Sequence, residues 1–120
     1  MQPGEPGEPG ADETGGQEAP VVTDNPAESR FELHVGGQFA GKVEYRLRGG
    51  VLNLVHTEVD PRFRHGGYAA RLARASLDAA RQRHLAVLPT CPYIRSWIAR
   101  HPDYADLVPP DRRAGFGLLR

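Results

Sequence analysis

Three places in this 120-residue chain carry side chains whose types and spacing could do chemistry. The first is Arg64-His65-Gly66-Gly67-Tyr68-Ala69, between an apolar run that ends at Val59 and an alanine-rich segment with helical spacing. A strand that turns through glycines into a helix presents unpaired backbone N–H groups and the partial positive charge of the helix start, and both favour phosphate. Gly66 and Gly67 let a ligand approach the backbone, and Arg64 adds a cation at the rim. Taken alone, the glycine pair is equally well a tight strand-to-helix turn.

The second place is Cys91, at the boundary between a short apolar run and a segment with helical spacing. A helix start favours the thiolate, the reactive form of cysteine. Against this stands the plain role of a small buried residue filling space at a strand end. If the segment after Cys91 is one helix, His101 is about 15 Å away at ~1.5 Å per residue, too far to pair with it. The third place is His56 with Glu58. Strand alternation puts residues 52, 54, 56 and 58 on one face, so an imidazole and a carboxylate line the same surface as two leucines. Either could take a proton from an amine, while a core histidine satisfied by backbone is the competing role for His56. His34, His65, His84 and His101 show no regular ligand spacing and one cysteine cannot make a zinc knuckle, so no metal is expected.

These side chains need a frame to hold them. Residues 31–35 and 38–48 alternate like strands around Gly36-Gly37, and Gly49-Gly50 leads into a third strand over 51–59, which Pro61 ends. From about Gly66 to Arg83, Ala69, Leu72, Ala73, Ser76 and Ala80 follow helical spacing, with Arg74 and Asp78 at a pairing distance on the other side. Leu85–Leu88 is a short apolar strand, so strand, helix and strand form a crossover with two parallel strands. Pro89 cannot donate a ladder hydrogen bond and marks where they part. Such a gap, beside a helix start, is where open α/β sheets bind ligands. Pro92 then opens a helix with Ile94, Trp97 and Ile98 as its apolar stripe and Pro102 at its end; Tyr104 and Leu107 anchor a return turn. The expectation is an α/β (α+β) fold: three antiparallel strands, a helix, a parallel strand and a C-terminal helix.

Composition sets the outer limits. Residues 1–30 hold PGEPGEPG and no aromatic residue, and are expected to be a disordered acidic tail; 31–108 form the domain, and 109–120 a loosely attached second tail. Seven of the 15 acidic residues fall in the first tail, which leaves residues 31–120 at about +6. A basic body suits an anionic partner. The arginines are too scattered, and too little interleaved with aromatics, to favour nucleic acid. No basic start precedes an apolar stretch, no run is apolar enough to cross a bilayer, and a lone cysteine suits a reducing, cytoplasmic setting. A monomer is expected.

At this point the chain resembles the small GNAT-type N-acetyltransferases, in their short single-domain branch. Arg64, Gly67 and Ala69 match the family's acetyl-CoA signature in register. The short branch is marked by His56-Thr57-Glu58-Val59, and by Cys91-Pro92-Tyr93 leading to His101-Pro102-Asp103-Tyr104. His65 and Gly66 reverse the usual order before Gly67, and Tyr68 stands where a small aliphatic residue is common.

The resemblance implies that acetyl-CoA binds with its diphosphate on the amides of Arg64, His65, Gly66, Gly67, Tyr68, Ala69 and Ala70. Its pantetheine would run along Glu58 and Val59, and its thioester would arrive near Cys91. Cys91 would then be an acetyl relay, readily alkylated unless CoA covers it, or a neighbour of a direct attack in which His56 or Glu58 takes the amine's proton. The implied activity is N-acetyl transfer to a small-molecule amine or a lysine. The alternative is a non-catalytic CoA-binding or interaction module, since the elements that shape the acceptor pocket in larger relatives are missing.

Overall fold

The computed structural model describes residues 19–119. The disorder expected of residues 1–18 lies outside the described residues. Five strands form one sheet in sequence order: β1 (Val21–Asn25), β2 (Arg30–Val35), β3 (Gln38–Arg48), β4 (Val51–Val59) and β5 (Ala86–Pro89). The first four are antiparallel neighbours, and β5 lies parallel to β4. The tight turns at Gly36-Gly37 and Gly49-Gly50 have positive φ at both residues, the conformation that matches a two-residue hairpin to strand twist.

Two helices cover the sheet. Helix α1 (Tyr68–Gln82) buries Leu72, Ala73, Ser76, Leu77 and Ala80, and the Ser76 hydroxyl is satisfied by Leu72 O at 2.7 Å. Helix α2 (Pro92–Arg100) adds Ile94, Trp97 and Ile98 to the same core, which Phe31, Leu33, Val43, Leu52, Leu54 and Val87 supply from the sheet. A 3-10 turn over Pro102–Leu107 follows, and its Tyr104 hydroxyl donates to Asp78 on α1 at 2.8 Å. Arg74 and Asp78, expected to pair directly, instead meet through that hydroxyl, to which Arg74 donates at 3.4 Å. Burial and Asp78 together raise the Tyr104 pKa.

Both expected tails need correction. The N-terminal one is ordered over 21–30: β1 forms the sheet edge, and a 3-10 turn at Pro26–Glu28 joins it to β2. Its attachment rests on the β1–β2 ladder, on Val22 against the core and on one carboxylate, too little apolar content for composition to show. The carboxylate of Asp24 accepts from the Tyr45 hydroxyl at 2.6 Å and from Arg83 at 2.8 Å, tying the strand to β3 and to the end of α1. Burial, and then this hydrogen bond, push the Tyr45 phenol up to about 12. At the other end, a short helix α3 (Pro110–Arg113) and a 3-10 turn return the chain so that Leu118 is buried in the core. Arg113 Nε fixes the return by donating to Val108 O at 2.8 Å.

Candidate active site

The site grows out of an irregularity in β4. Glu44 pairs with His56 and Tyr45 with Leu54, so Val55 has no partner on β3. An extra residue of this kind bends its strand and increases the twist. On the other side, β4 pairs with β5 only from Val51 to Leu54, and a last bond runs from Cys91 N–H to Leu54 O at 2.8 Å. Beyond Leu54 no described strand adjoins that edge. Asp60 N–H donates to Ala40 O on the β3 side. With a period of two, the N–H groups of Thr57 and Val59 therefore face the open edge.

The bulge also resets which residues face the core. Leu52 and Leu54 are buried, but the next inward side chain is Thr57, whose hydroxyl lies 3.4 Å from Cys91 Sγ. His56 and Glu58 are exposed. Glu58 lies 3.6 Å from Lys42 Nζ, which bonds Glu44 at 2.6 Å and holds that carboxylate's pKa down. The expectation that His56 and Glu58 share a face with Leu52 and Leu54, and so converge on Cys91, is corrected by that one extra residue.

After β4 the chain makes a 3-10 turn at Pro61–Phe63, capped by Asp60, whose carboxylate accepts from Arg62 N–H at 2.9 Å. Gly67 caps α1 with φ of 71°, and nothing lies within 4 Å of where a Cβ would stand, so the approach to its backbone is open. The Arg71 N–H to Gly67 O bond, at 3.3 Å, is the first of the helix. Among the described residues the amides of Gly67, Tyr68, Ala69 and Ala70 have no backbone acceptor, whereas those of Arg64 and Gly66 are bonded to Pro61 O and Phe63 O. The free set, with His65 N–H also lacking a backbone acceptor, is thus the expected Arg64–Ala70 less Arg64 and Gly66. His65 is exposed at the rim. Tyr68 packs edge-on to Phe63 and its ring occupies the space a side chain at Gly66 would need.

These amides open onto a cleft of about 440 Å³ lined by Gly66, Gly67, Ala70, Arg71, Arg74, Tyr93, Trp97, Arg100 and His101. Three arginines and a helix start line one concavity, the chemistry that suits an anion. Burial raises the Tyr93 pKa, so its hydroxyl stays neutral there. Arg74 lies over the Trp97 ring at 5.3 Å, and His101 stacks on that ring at 3.8 Å. Arg74 and His101 were not among the expected binding residues: Arg74 fell on the helix face opposite the apolar stripe, and His101 was weighed only as a partner for Cys91 and as part of the His101-Pro102-Asp103-Tyr104 motif. The signal was the spacing of Arg71 and Arg74, one turn of one helix face.

Cys91 caps α2 and is only 2% exposed. An alkylating reagent must therefore wait for the strand end to open, and ready reaction in the resting fold is not expected. Among the described residues no helix is long and apolar enough to cross a membrane.

With this geometry in view, two comparisons with known proteins bear on the chain. A model of the GCN5-related N-acetyltransferases matches residues 30–107. The NMR solution structure of a GCN5-like protein from Staphylococcus aureus matches with a TM-score of 0.58 at 19% identity, covering 74% of this chain and 87% of that one. At that identity the likeness speaks for the fold.

Proposed function

The chain belongs to the GCN5-related N-acetyltransferase family, and from that premise we propose that it transfers acetyl from acetyl-CoA to an amine, on a small molecule or a lysine. The observation that carries this reading is the run of free amides at Gly67–Ala70, opening onto an arginine-lined cleft and following in the chain on the unpaired half of β4. A diphosphate needs several N–H donors and cations together, and a linker with amides of its own needs a strand edge to pair with. The chain runs from the second into the first through the turn at 60–66.

In this reading the amides of Gly67, Tyr68, Ala69 and Ala70 hold the diphosphate, and Arg71 and Arg74 offset its charge. The free N–H groups of Thr57 and Val59 pair with the pantetheine as they would with an added strand. Acetyl-CoA supplies an acyl thioester activated toward an amine. Attack requires that amine to be neutral, and His56 and Glu58, exposed on β4, are the groups we assign to take its proton. Cys91 and Thr57 line the inner side of the same strand end. Because Cys91 is buried, we assign it a positioning part and favour direct attack over a relay.

The test is to incubate the protein with acetyl-CoA and a panel of polyamines, amino acids and lysine peptides while recording CoA thiol release. Amine-dependent release, lost in Gly67→Glu, supports the proposal. Tight binding without release from any amine would mean a non-catalytic CoA-binding module. Absence of binding would overturn the reading.

A further inference from the structure

The cleft contains one cation source that depends on pH. His101 ends α2 and stacks almost parallel on Trp97, with ring centroids 3.8 Å apart and planes 12° from parallel. Its Nδ1 lies 2.8 Å from Trp97 O. A carbonyl only accepts, so Nδ1 carries a proton in either charge state. The remaining nitrogen, Nε2, has no protein partner among the described residues, on a ring that lines the cleft. In the neutral ring Nε2 presents a lone pair, which disfavours a phosphate oxygen; in the protonated ring it is a charged donor.

The groups around the ring define its ligand. From α1 come Arg71 and Arg74 in the cleft, with Asp78 engaged by the Tyr104 hydroxyl. From α2 come Tyr93 and Arg100, the latter donating to Ser96 Oγ at 2.8 Å. From the following turn come Tyr104 and the exposed Asp103, neither of which lines the cleft. The cleft wall beside His101 therefore carries cations and no carboxylate.

We propose that His101 is a proton-linked phosphate ligand, binding the 3′-phosphate monoester of CoA together with Arg100, while the diphosphate occupies the Gly67–Ala70 amides. This rests on the acetyl-CoA reading and extends it to a residue that no family motif explains by charge. Arg100 and His101 line the cleft from the end of α2, whereas those amides line it from the start of α1, so two elements supply two separate donor sets to one cleft. Binding of the phosphate then favours the protonated ring and is linked to proton uptake.

The experiment is calorimetric titration of CoA and dephospho-CoA at pH 6, 7 and 8, in pairs of buffers that differ in ionisation enthalpy. The expected result is CoA affinity about tenfold tighter at pH 6 than at pH 8, with proton uptake at pH 7. Dephospho-CoA should show neither, and His101→Phe, which keeps an aromatic ring on Trp97, should lose both for CoA. Equal pH dependence in His101→Phe, or in dephospho-CoA, would overturn the proposal. Because the variant could fold poorly, the wild-type His101 ring signal is also followed by NMR as adenosine 3′,5′-bisphosphate is added. Movement of that signal, without CoA binding, would sustain the His101 site while the acetyl-CoA reading fails. A static signal at saturating bisphosphate would overturn the site itself.

Discussion

The two halves of β4 do opposite work with one continuous backbone. From Val51 to Leu54 the strand is paired on both sides and its leucines are sealed in the core. From Val55 to Val59 it is paired on one side only, its alternate side chains are exposed, and it leads along the chain into the glycine turn that opens on the arginine cleft. The closed half supplies rigidity and the open half supplies unsatisfied donors. A binding edge of this kind is tolerated because its neighbours are held elsewhere, by Leu54 O to Cys91 N–H and by the packed stripe of α1. Substitutions in the two halves should therefore separate stability from affinity.

The largest effect is expected at the open half. Gly67→Glu puts a negative charge against the diphosphate, at a residue whose φ of 71° a side chain rarely adopts. Acetyl-CoA affinity should fall more than ~1,000-fold, about 4 kcal/mol, while circular dichroism keeps its wild-type shape. Undiminished affinity would mean that the ligand does not use this turn.

In the closed half, Leu52→Ala removes a fully buried side chain. Unfolding free energy should drop by about 3 kcal/mol, with acetyl-CoA affinity changed less than about threefold in the protein that remains folded. A parallel loss of affinity would show that the halves are not separable.

The join is tested by deleting Val55. Every β3–β4 pair can persist without it, because Glu44 already faces His56 and Tyr45 already faces Leu54. Only the bend goes, and with it part of the gap to β5. The deletion should fold and bind acetyl-CoA about tenfold more weakly, ~1.4 kcal/mol. Unchanged affinity would show that the bulge does not shape the cleft.

How much of this was legible in the sequence differs along the same line. The closed half obeys regular alternation, the hairpin glycines announce their turns, and Pro89 marks where β5 stops, so the core and the order of β2 to α2 could be read from the chain. The bulge could not, because nothing in Val55 distinguishes it from a paired valine. Its consequence is large for function: it turns His56 and Glu58 outward and brings Thr57 to Cys91. The Cys91…Tyr104 motif was visible, but its physical role was not. Tyr104 acts across the fold on Asp78 of α1, and such a contact leaves no local period, while His101 stacks on Trp97 one helical turn earlier. Strand β1 was hidden for a related reason, since its ladder to β2, one half-buried carboxylate and Val22 alone against the core hold it rather than a broad apolar face.

That carboxylate gives the smallest effect. With the Tyr45 phenol raised to about 12 by burial and by Asp24, its neutral form is favoured in the folded state. The stabilisation is fully present below the unfolded pKa near 10 and is lost as pH rises through about 12. Thermal stability should fall between pH 10 and 12, and less steeply in Tyr45→Phe, while acetyl-CoA affinity at pH 7 is unaffected. An identical slope in Tyr45→Phe would mean that β1 is not held this way.

The central claim, that the open half of β4 and the start of α1 form one acetyl-CoA site, is tested most directly by titrating ¹⁵N-labelled protein with acetyl-CoA and following backbone amides. The account predicts that Thr57, Val59, Gly67, Tyr68, Ala69 and Ala70 shift together along one saturating curve, while Leu52 and Val87 in the closed half stay still. Shifts confined to other surfaces, or none at millimolar ligand, would contradict it.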